Sequence, residues 1–301
     1  MTAPQLSIII PTYNRPELLP RAVASALQQT IEAIEVIVVD DGSLPAVDLP
    51  EQPRLRVIRL ANNQGGAAAR NIGAAAAHSQ WLTYLDDDDV LLPHMAAKTL
   101  EAIQHLPANL PRPIGILFGL NVVTPEGKVV TTHLPPTLPR GAHFCLEEIP
   151  ARHSFYSKQT LVVEREVLLN VGGFDPNFAS RIHTELFLRL NSVCSLWGLP
   201  EVTYQLSTHA GARVSSNSSK RQRSFEQLLQ KHQDLFKSHA QWVYADFVFN
   251  HADKLYQNGQ HLLALKMLGQ AGLIHPLHTL ARLGSPYKRK FLNVFSPVYD
   301  T

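Results

Sequence analysis

The chain is short of charge, of cysteine and of long apolar runs. Charged side chains make up 17% of its 301 residues and hydrophobic ones 45%, against roughly 25% charged in an ordinary globular protein. That excludes a disordered, charge-driven polymer. The net charge is +2, so nothing points to nucleic acid as a partner. Two cysteines, Cys145 and Cys194, cannot build a disulfide framework or a cysteine-rich zinc site. They suit a reducing compartment, and a cytoplasmic location is expected. The N-terminus lacks the basic and apolar regions of a signal peptide. The longest apolar stretch, Ile114 to Val123, is about half of the ~20 residues that a membrane helix needs. The Asn217-Ser218-Ser219 sequon is then a chance match. No G-x-G-x-x-G or Walker loop occurs, which disfavours a dehydrogenase. No glycine- and lysine-rich triphosphate loop lies near residue 12, which disfavours a nucleotidyltransferase.

Charge is unevenly spread. Residues 1–219 carry a net −4 and residues 220–301 a net +6. Two domains are expected: 1–219, and a basic helical C-terminal extension, 220–301.

Residues 6–106 alternate strand and helix signals. Leu6–Ile10 and Ile34–Val39 are apolar runs of the kind that central parallel strands carry. Leu55–Leu60 alternates with arginines, as a more exposed strand does. Trp81–Leu85 is a further strand. Helices are expected from Pro16 to Leu27, Ala67 to Ala77 and Leu92 to Leu106. Further strands are expected at Ile114–Asn121, Thr160–Val163 and Val202–Leu206, and helices at Glu164–Asn170 and His183–Asn191. Residues 210–224 read as a loop, with helices from Phe225 onward. This order argues a doubly wound α/β sheet, whose ligands sit at the carboxyl ends of its strands.

The informative residues cluster at those ends. Pro11-Thr12-Tyr13-Asn14-Arg15 follows the first strand, and Asp40-Asp41-Gly42-Ser43 the second. Gly65-Gly66 opens a helix that carries Arg70. Asp86-Asp87-Asp88-Asp89 ends the fourth strand. The Asp40 and Gly65 pieces are also ordinary turn and cap sequences. Four successive aspartates are not. Such close carboxylates repel and raise one another's pKa unless a cation compensates, and hard divalent cations prefer oxygen ligands. The set suits a nucleoside diphosphate with a divalent metal.

In order and spacing these pieces resemble family 2 glycosyltransferases, inverting sugar transferases with a GT-A fold. The carrying motifs are Ser7 through Arg15, Val38 through Ser43, Gly65 through Gly73, Tyr84 through Asp89, and Gly172-Gly173-Phe174-Asp175. The resemblance runs from about Leu6 to Leu206. It implies a GT-A type doubly wound mixed sheet and a nucleotide-sugar donor, expected to be UDP-linked. It also implies Mn²⁺ or Mg²⁺, and a saccharide, lipid-linked or other hydroxyl acceptor. By the same resemblance Tyr13 would stack on the base, with Pro11 and Arg15 beside it, and Asp41 would hydrogen-bond the base edge. Arg70 would lie near the base or diphosphate. Asp86 would reach toward the ribose and, with Asp87, line the nucleotide site. Asp88, with Asp86, would contact the metal and serve catalysis. Asp175 and Glu185 would lie on the acceptor side, and acceptor contacts are expected from residues 130–158 and 205–224.

One departure matters. Where the family carries an acidic general base, this sequence has His183. Glu185 follows two residues later, about 200° away around a helix, and its i,i+4 partner Arg189 suggests a solvated face. His183 is therefore expected to face the site, with a pKa little displaced because the helix start and Asp86–Asp89 pull in opposite directions. The alternative reading is an inactive nucleotide-sugar-binding or scaffold relative that lost its base. Near the C-terminus, Tyr287-Lys288-Arg289-Lys290-Phe291 suits weak peripheral membrane contact at the inner face of a membrane.

Overall fold

The computed structural model describes residues 3–208 and 218–284. The Tyr287–Phe291 run and residues 210–217 of the expected loop lie outside the described residues.

The chain begins with β1 (Leu6–Thr12), α1 (Leu19–Leu27), β2 (Ile34–Asp40), β3 (Leu55–Arg59), α2 (Gly66–Ala76), β4 (Trp81–Tyr84), β5 (Val90–Leu91) and α3 (Met95–Gln104). Next come β6 (Ile114–Val123), β7 (Val129–His133), a 3-10 helix (Phe155–Thr160), β8 (Val162–Glu164), α4 (Arg165–Asn170), α5 (Ile182–Val193) and β9 (Ser195–Ser207). Five helices complete the described chain: α6 (Ser218–Lys231), α7 (Gln233–Ser238), α8 (Gln241–Gln257), α9 (His261–Ile274) and α10 (Pro276–Gly284).

The strands form one mixed sheet in the order β3-β2-β1-β4-β8-β6-β9-β5, with β7 paired to β6. The β3-β2-β1-β4 half is parallel, and β8 pairs antiparallel with both β4 and β6. Every residue of β1 is buried, because successive side chains enter opposite layers and both layers are covered. Ile9, Ile37 and Val39 face one core with Ala69, Ala74, Leu168, Leu186 and Phe187, from α2, α4 and α5. Ile8, Ile10, Val36 and Val38 face the other with Ala22, Val23, Ala26 and Ala96, from α1 and α3. The helix-on-both-faces architecture is the GT-A type that the motifs implied.

Several expectations need correction. The first helix starts at Leu19, with Pro20 rather than Pro16 in its opening turn. β7 went unread because its residues are mostly exposed, and so show no alternation. The 3-10 helix also went unread. The last strand begins at Ser195 rather than Val202; Gly198 and Pro200 hide its first half. Residues 218–224 belong to α6 rather than to a loop.

Backbone contacts divide the chain into two compact units, Met1–Ser224 and Phe225–Thr301. In the second unit α8 and α9 pack as a helical pair and α10 packs on both. Among the described residues no helix is long and apolar enough to cross a membrane.

Candidate active site

The carboxyl ends of β1, β2 and β4 build one edge of the sheet. At β1, Asn14 adopts a left-handed conformation, φ 52°, which asparagine tolerates better than most residues. Its N–H donates to Ser43 Oγ (2.9 Å), and its Oδ1 accepts from the Leu44 N–H (2.8 Å). The two loops are thereby stapled together, and Tyr13 is left 45% exposed between them. Pro11, by contrast, is buried within β1 and supports this strand end from inside.

Asp40 ends β2 and Asp41 follows it, and both are buried. Burial alone would raise the Asp40 pKa, yet hydrogen bonds from Ser43, Val47 and Arg59 hold it below the usual value. Asp41 is 2% exposed, and its two oxygens accept the N–H groups of Gln64 (2.7 Å) and Gly65 (2.8 Å). The Asp41 carboxylate thus fixes the glycine-rich entry to α2. Gly42 permits this close approach. Its φ is +78°, and a Cβ there would sit 2.8 Å from the Asn62 carbonyl carbon.

The Asp86–Asp89 turn follows β4. Carboxylate oxygens of Asp86, Asp88 and Asp89 lie within 4.8 Å of one another. Arg70 ion-pairs with Asp86. Arg15 donates to Asp88 (2.8 Å) and Asp87 (3.2 Å), and Thr12 Oγ1 donates to Asp87 (2.7 Å). Burial pushes Asp87 up to about 6, with Asp88 and Asp86 adding to it and Thr12 and Arg15 opposing. Asp89 accepts from Tyr204 Oη (2.7 Å) and the Ser207 N–H (2.9 Å). Its pKa stands well above the usual range, through burial first and then the charges of Asp86 and Asp88. A divalent cation suits this set. All its donors are carboxylate oxygens, and the mutual repulsion that raises Asp89 is what such an ion relieves.

The Gly172–Asp175 turn and α5 bring the remaining groups. Asn71 of α2 accepts the Phe174 N–H (2.8 Å) and donates to the Phe174 carbonyl (2.7 Å). The Arg70 guanidinium lies 5.7 Å from the Phe174 ring centroid, and the His183 ring meets Phe174 edge-on at 5.3 Å. One ring thus links His183 through Arg70 to Asp86. His183 is not balanced between opposing charges as expected. Its pKa falls well below the usual histidine value, through burial first and then the positive charges of Arg70 and Lys158.

Glu185 requires the plainest correction. It is fully buried and paired with Arg189, so it is neither on a solvated face nor available to an acceptor. Asp175 accepts from the N–H and the side-chain amide of Asn177, both at 2.9 Å, and shapes that turn. Sequence reasoning missed Thr12, Tyr204 and Ser207 as Asp partners. It also missed Arg21, which donates to the Asp88 carbonyl (2.8 Å) and Ser207 Oγ (2.7 Å). Tyr204 and Ser207 lie more than a hundred residues from the aspartates, and no local pattern announces such a pairing.

Residues 7–145 match the family described as Glycosyl transferase family 2. Over that stretch, a little under half of its length, the chain is similar to that family. An uncharacterized glycosyltransferase of Haemophilus influenzae is 30% identical over 187 residues, 62% of this chain and 61% of that protein. Succinoglycan biosynthesis protein ExoO of Rhizobium meliloti is 33% identical over 130 residues, 42% of this chain and 36% of that protein. The chain thus spans less than two thirds of the length of each of these relatives. The crystal structure of S. aureus TarS 1-349 in complex with UDP-GlcNAc shares the fold, with a TM-score of 0.65 and 17% identity over 92% of this chain and 83% of that one.

Proposed function

We propose that this protein is an inverting glycosyltransferase that moves a sugar from a nucleotide-sugar donor, UDP-linked, to an acceptor hydroxyl. The observation that carries this reading is the convergence of Asp86, Asp88 and Asp89 beside the two arginines and exposed Tyr13, with His183 one aromatic ring away. The UDP-GlcNAc complex of the TarS neighbour supports the choice of donor. The biosynthetic role of ExoO supports a saccharide or lipid-linked acceptor.

In this reading the Tyr13 ring stacks on the base, while Asp41 keeps the Gln64-Gly65 backbone in place beside it. Asp86, Asp88 and Asp89 would hold Mn²⁺ or Mg²⁺. Such an ion, when bound, takes up the negative charge of the leaving diphosphate. Arg15 and Arg70 already lie among these carboxylates and are placed to pair with phosphate oxygens. His183, kept neutral by its surroundings, accepts the proton of the acceptor hydroxyl at an imidazole nitrogen. The hydroxyl oxygen bonds to the sugar C1 from the face opposite the diphosphate, the C1–O bond to phosphate breaks, and the configuration inverts. Asp175 stays on the acceptor side of this arrangement.

The test is a donor screen. Nucleotide sugars are supplied with Mn²⁺, and thermal stabilisation and nucleoside diphosphate release are followed. UDP-sugars should stabilise the protein and release UDP. Failure of every donor to do either would sink the proposal. Stabilisation without any turnover across acceptors would favour the inactive relative.

A further inference from the structure

The acidic turn is held by β9. Residues 86–89 lie between β4 and β5, and β5 pairs with β9, Val90 with Gln205 and Leu91 with Tyr204. The Leu92 N–H adds a bond to the Thr203 carbonyl (2.8 Å). These backbone bonds fix where the chain leaves the turn. They do not orient its carboxylates.

Two side chains do. Tyr204 is 1% exposed and belongs to the same apolar core as Leu85 and Leu91. A hydroxyl in such a core costs free energy unless it is hydrogen-bonded; a phenylalanine would fill the space without that cost. Here Oη donates to Asp89 Oδ2 (2.7 Å) and accepts from the Asp86 N–H (3.3 Å). Among the described residues both of its bonds go to the turn, so one buried hydroxyl ties the first aspartate to the last. Asp88 is held through its backbone. Arg21 Nη2, on α1, donates both to the Asp88 carbonyl (2.8 Å) and to Ser207 Oγ (2.7 Å). Ser207 in turn gives its N–H to the other oxygen of Asp89 (2.9 Å). Asp86, Asp88 and Asp89 are thereby all tied to the last turnward stretch of β9, Tyr204 to Ser207.

Hydrogen-bond partners of ligating carboxylates orient them, and losing one typically costs about 10–100-fold in metal affinity. We propose that Tyr204 and Arg21 are positioning residues for the divalent ion, holding Asp86, Asp88 and Asp89 in the arrangement that receives it. Tyr204 is too deeply buried to reach a ligand itself and acts through the carboxylates. The proposal rests on the metal reading above. It requires neither a particular sugar nor His183 as the base.

The experiment is calorimetry of UDP binding to the full chain, once with Mn²⁺ and once with EDTA. The ratio of the two dissociation constants reads the metal-dependent gain alone. The parent should bind more tightly with Mn²⁺. Tyr204→Phe should shrink that gain about tenfold and leave the affinity in EDTA as it is. Arg21→Gln should shrink the gain as well, and Arg21→Lys, which keeps a cationic donor, should shrink it less. Arg21 is exposed, so its variants leave the core intact whatever the buried hydroxyl contributes to folding. Equal parental affinities in the two media would overturn the metal reading and this inference with it. A parental gain that Tyr204→Phe and Arg21→Gln both keep would overturn this inference alone. So would variants that lose affinity equally in both media, which would make the two residues supports of the fold only. A gain kept by one variant strikes that residue from the assignment.

Discussion

Glu185 and Arg189 form a two-pronged ion pair inside α5. Arg189 Nε meets Oε1 at 2.7 Å and Nη2 meets Oε2 at 2.6 Å, with Glu185 fully buried. The same guanidinium donates to the carbonyls of Val171 and Gly173, the latter at 2.7 Å. The pair therefore holds the turn that delivers Phe174 to Arg70 and His183. Removing one partner of a buried pair costs about 3–5 kcal/mol. Glu185→Ala should lose stability on that scale in urea unfolding, and Glu185→Gln less, because it keeps hydrogen-bond acceptance. An unfolding midpoint equal to the parent's would show that the pair carries no weight.

His183 sets a pH signature. An ordinary histidine titrates near 6.5, and this one is displaced well below that by burial, Arg70 and Lys158. As a base it works in its neutral form, so the acid limb of kcat should lie below about pH 6.5. His183→Ala should lower kcat by about 10²–10⁴-fold with donor affinity little changed. Stability carries the same sign. Below about pH 6.5 the unfolded chain takes up a proton that the folded site refuses, so stability falls as pH drops through that window. His183→Asn should flatten this part of the stability profile. A parental rate in the alanine variant would assign the base elsewhere.

Asp88→Asn should separate metal from fold. Its carboxylate sits at the strand end with Arg15, outside both cores. Titration calorimetry should find UDP binding in Mn²⁺ weakened at least roughly tenfold, with the Tm near that of the parent. Chelation of the parent should reproduce the loss. Equal affinities with and without Mn²⁺ would remove the metal from the reading.

For Tyr13 the expected loss is in the base pocket alone. Tyr13→Ala should weaken nucleotide binding by roughly 1–3 kcal/mol, the scale of an aromatic–base stack. At 45% exposure the ring contributes little to the core, so the melting curve should stay in place. An unchanged dissociation constant would make the ring structural.

Asp87 runs opposite to His183. Its pKa stands at about 6, above the ~3.9 of an unfolded chain. The stability it contributes is present in acid and lost as pH rises from about 4 to 6. Asp87→Asn should therefore stabilise the metal-free protein near neutrality by about 1–3 kcal/mol, while donor turnover drops. A thermal melt at neutral pH showing a less stable variant would contradict this.

What was legible in the sequence follows from burial. β1, β2 and β4 are covered on both faces, so each reads as an apolar run, and the special residues at their ends stand out. The Arg70 helix and the four aspartates were visible for the same reason. Glu185 was misread because an i,i+4 pair looks identical in solvent and in a core; only the packing around α5 decides it. The displacement of His183 was misjudged because burial, its main cause, and the charges of Arg70 and Lys158 come from tertiary packing that a helix-local argument does not see. Asp89 was read only as part of the aspartate run, because its hold on Tyr204 and Ser207 comes from the distant strand β9.

The place of β8 in the sheet has a consequence for how the site comes into being. β4 pairs with β1 on one side and, on the other, only with residues 162–164. Until those residues leave the ribosome, β4 is an open edge beside four aspartates. Asn71 likewise waits a further 103 residues for Phe174. Contacts of such sequence separation form late and slowly. A chain stopped at residue 145 would contain every aspartate of the cluster and still have no Phe174 or His183, and its sheet would end in an unpaired strand that invites association with other chains.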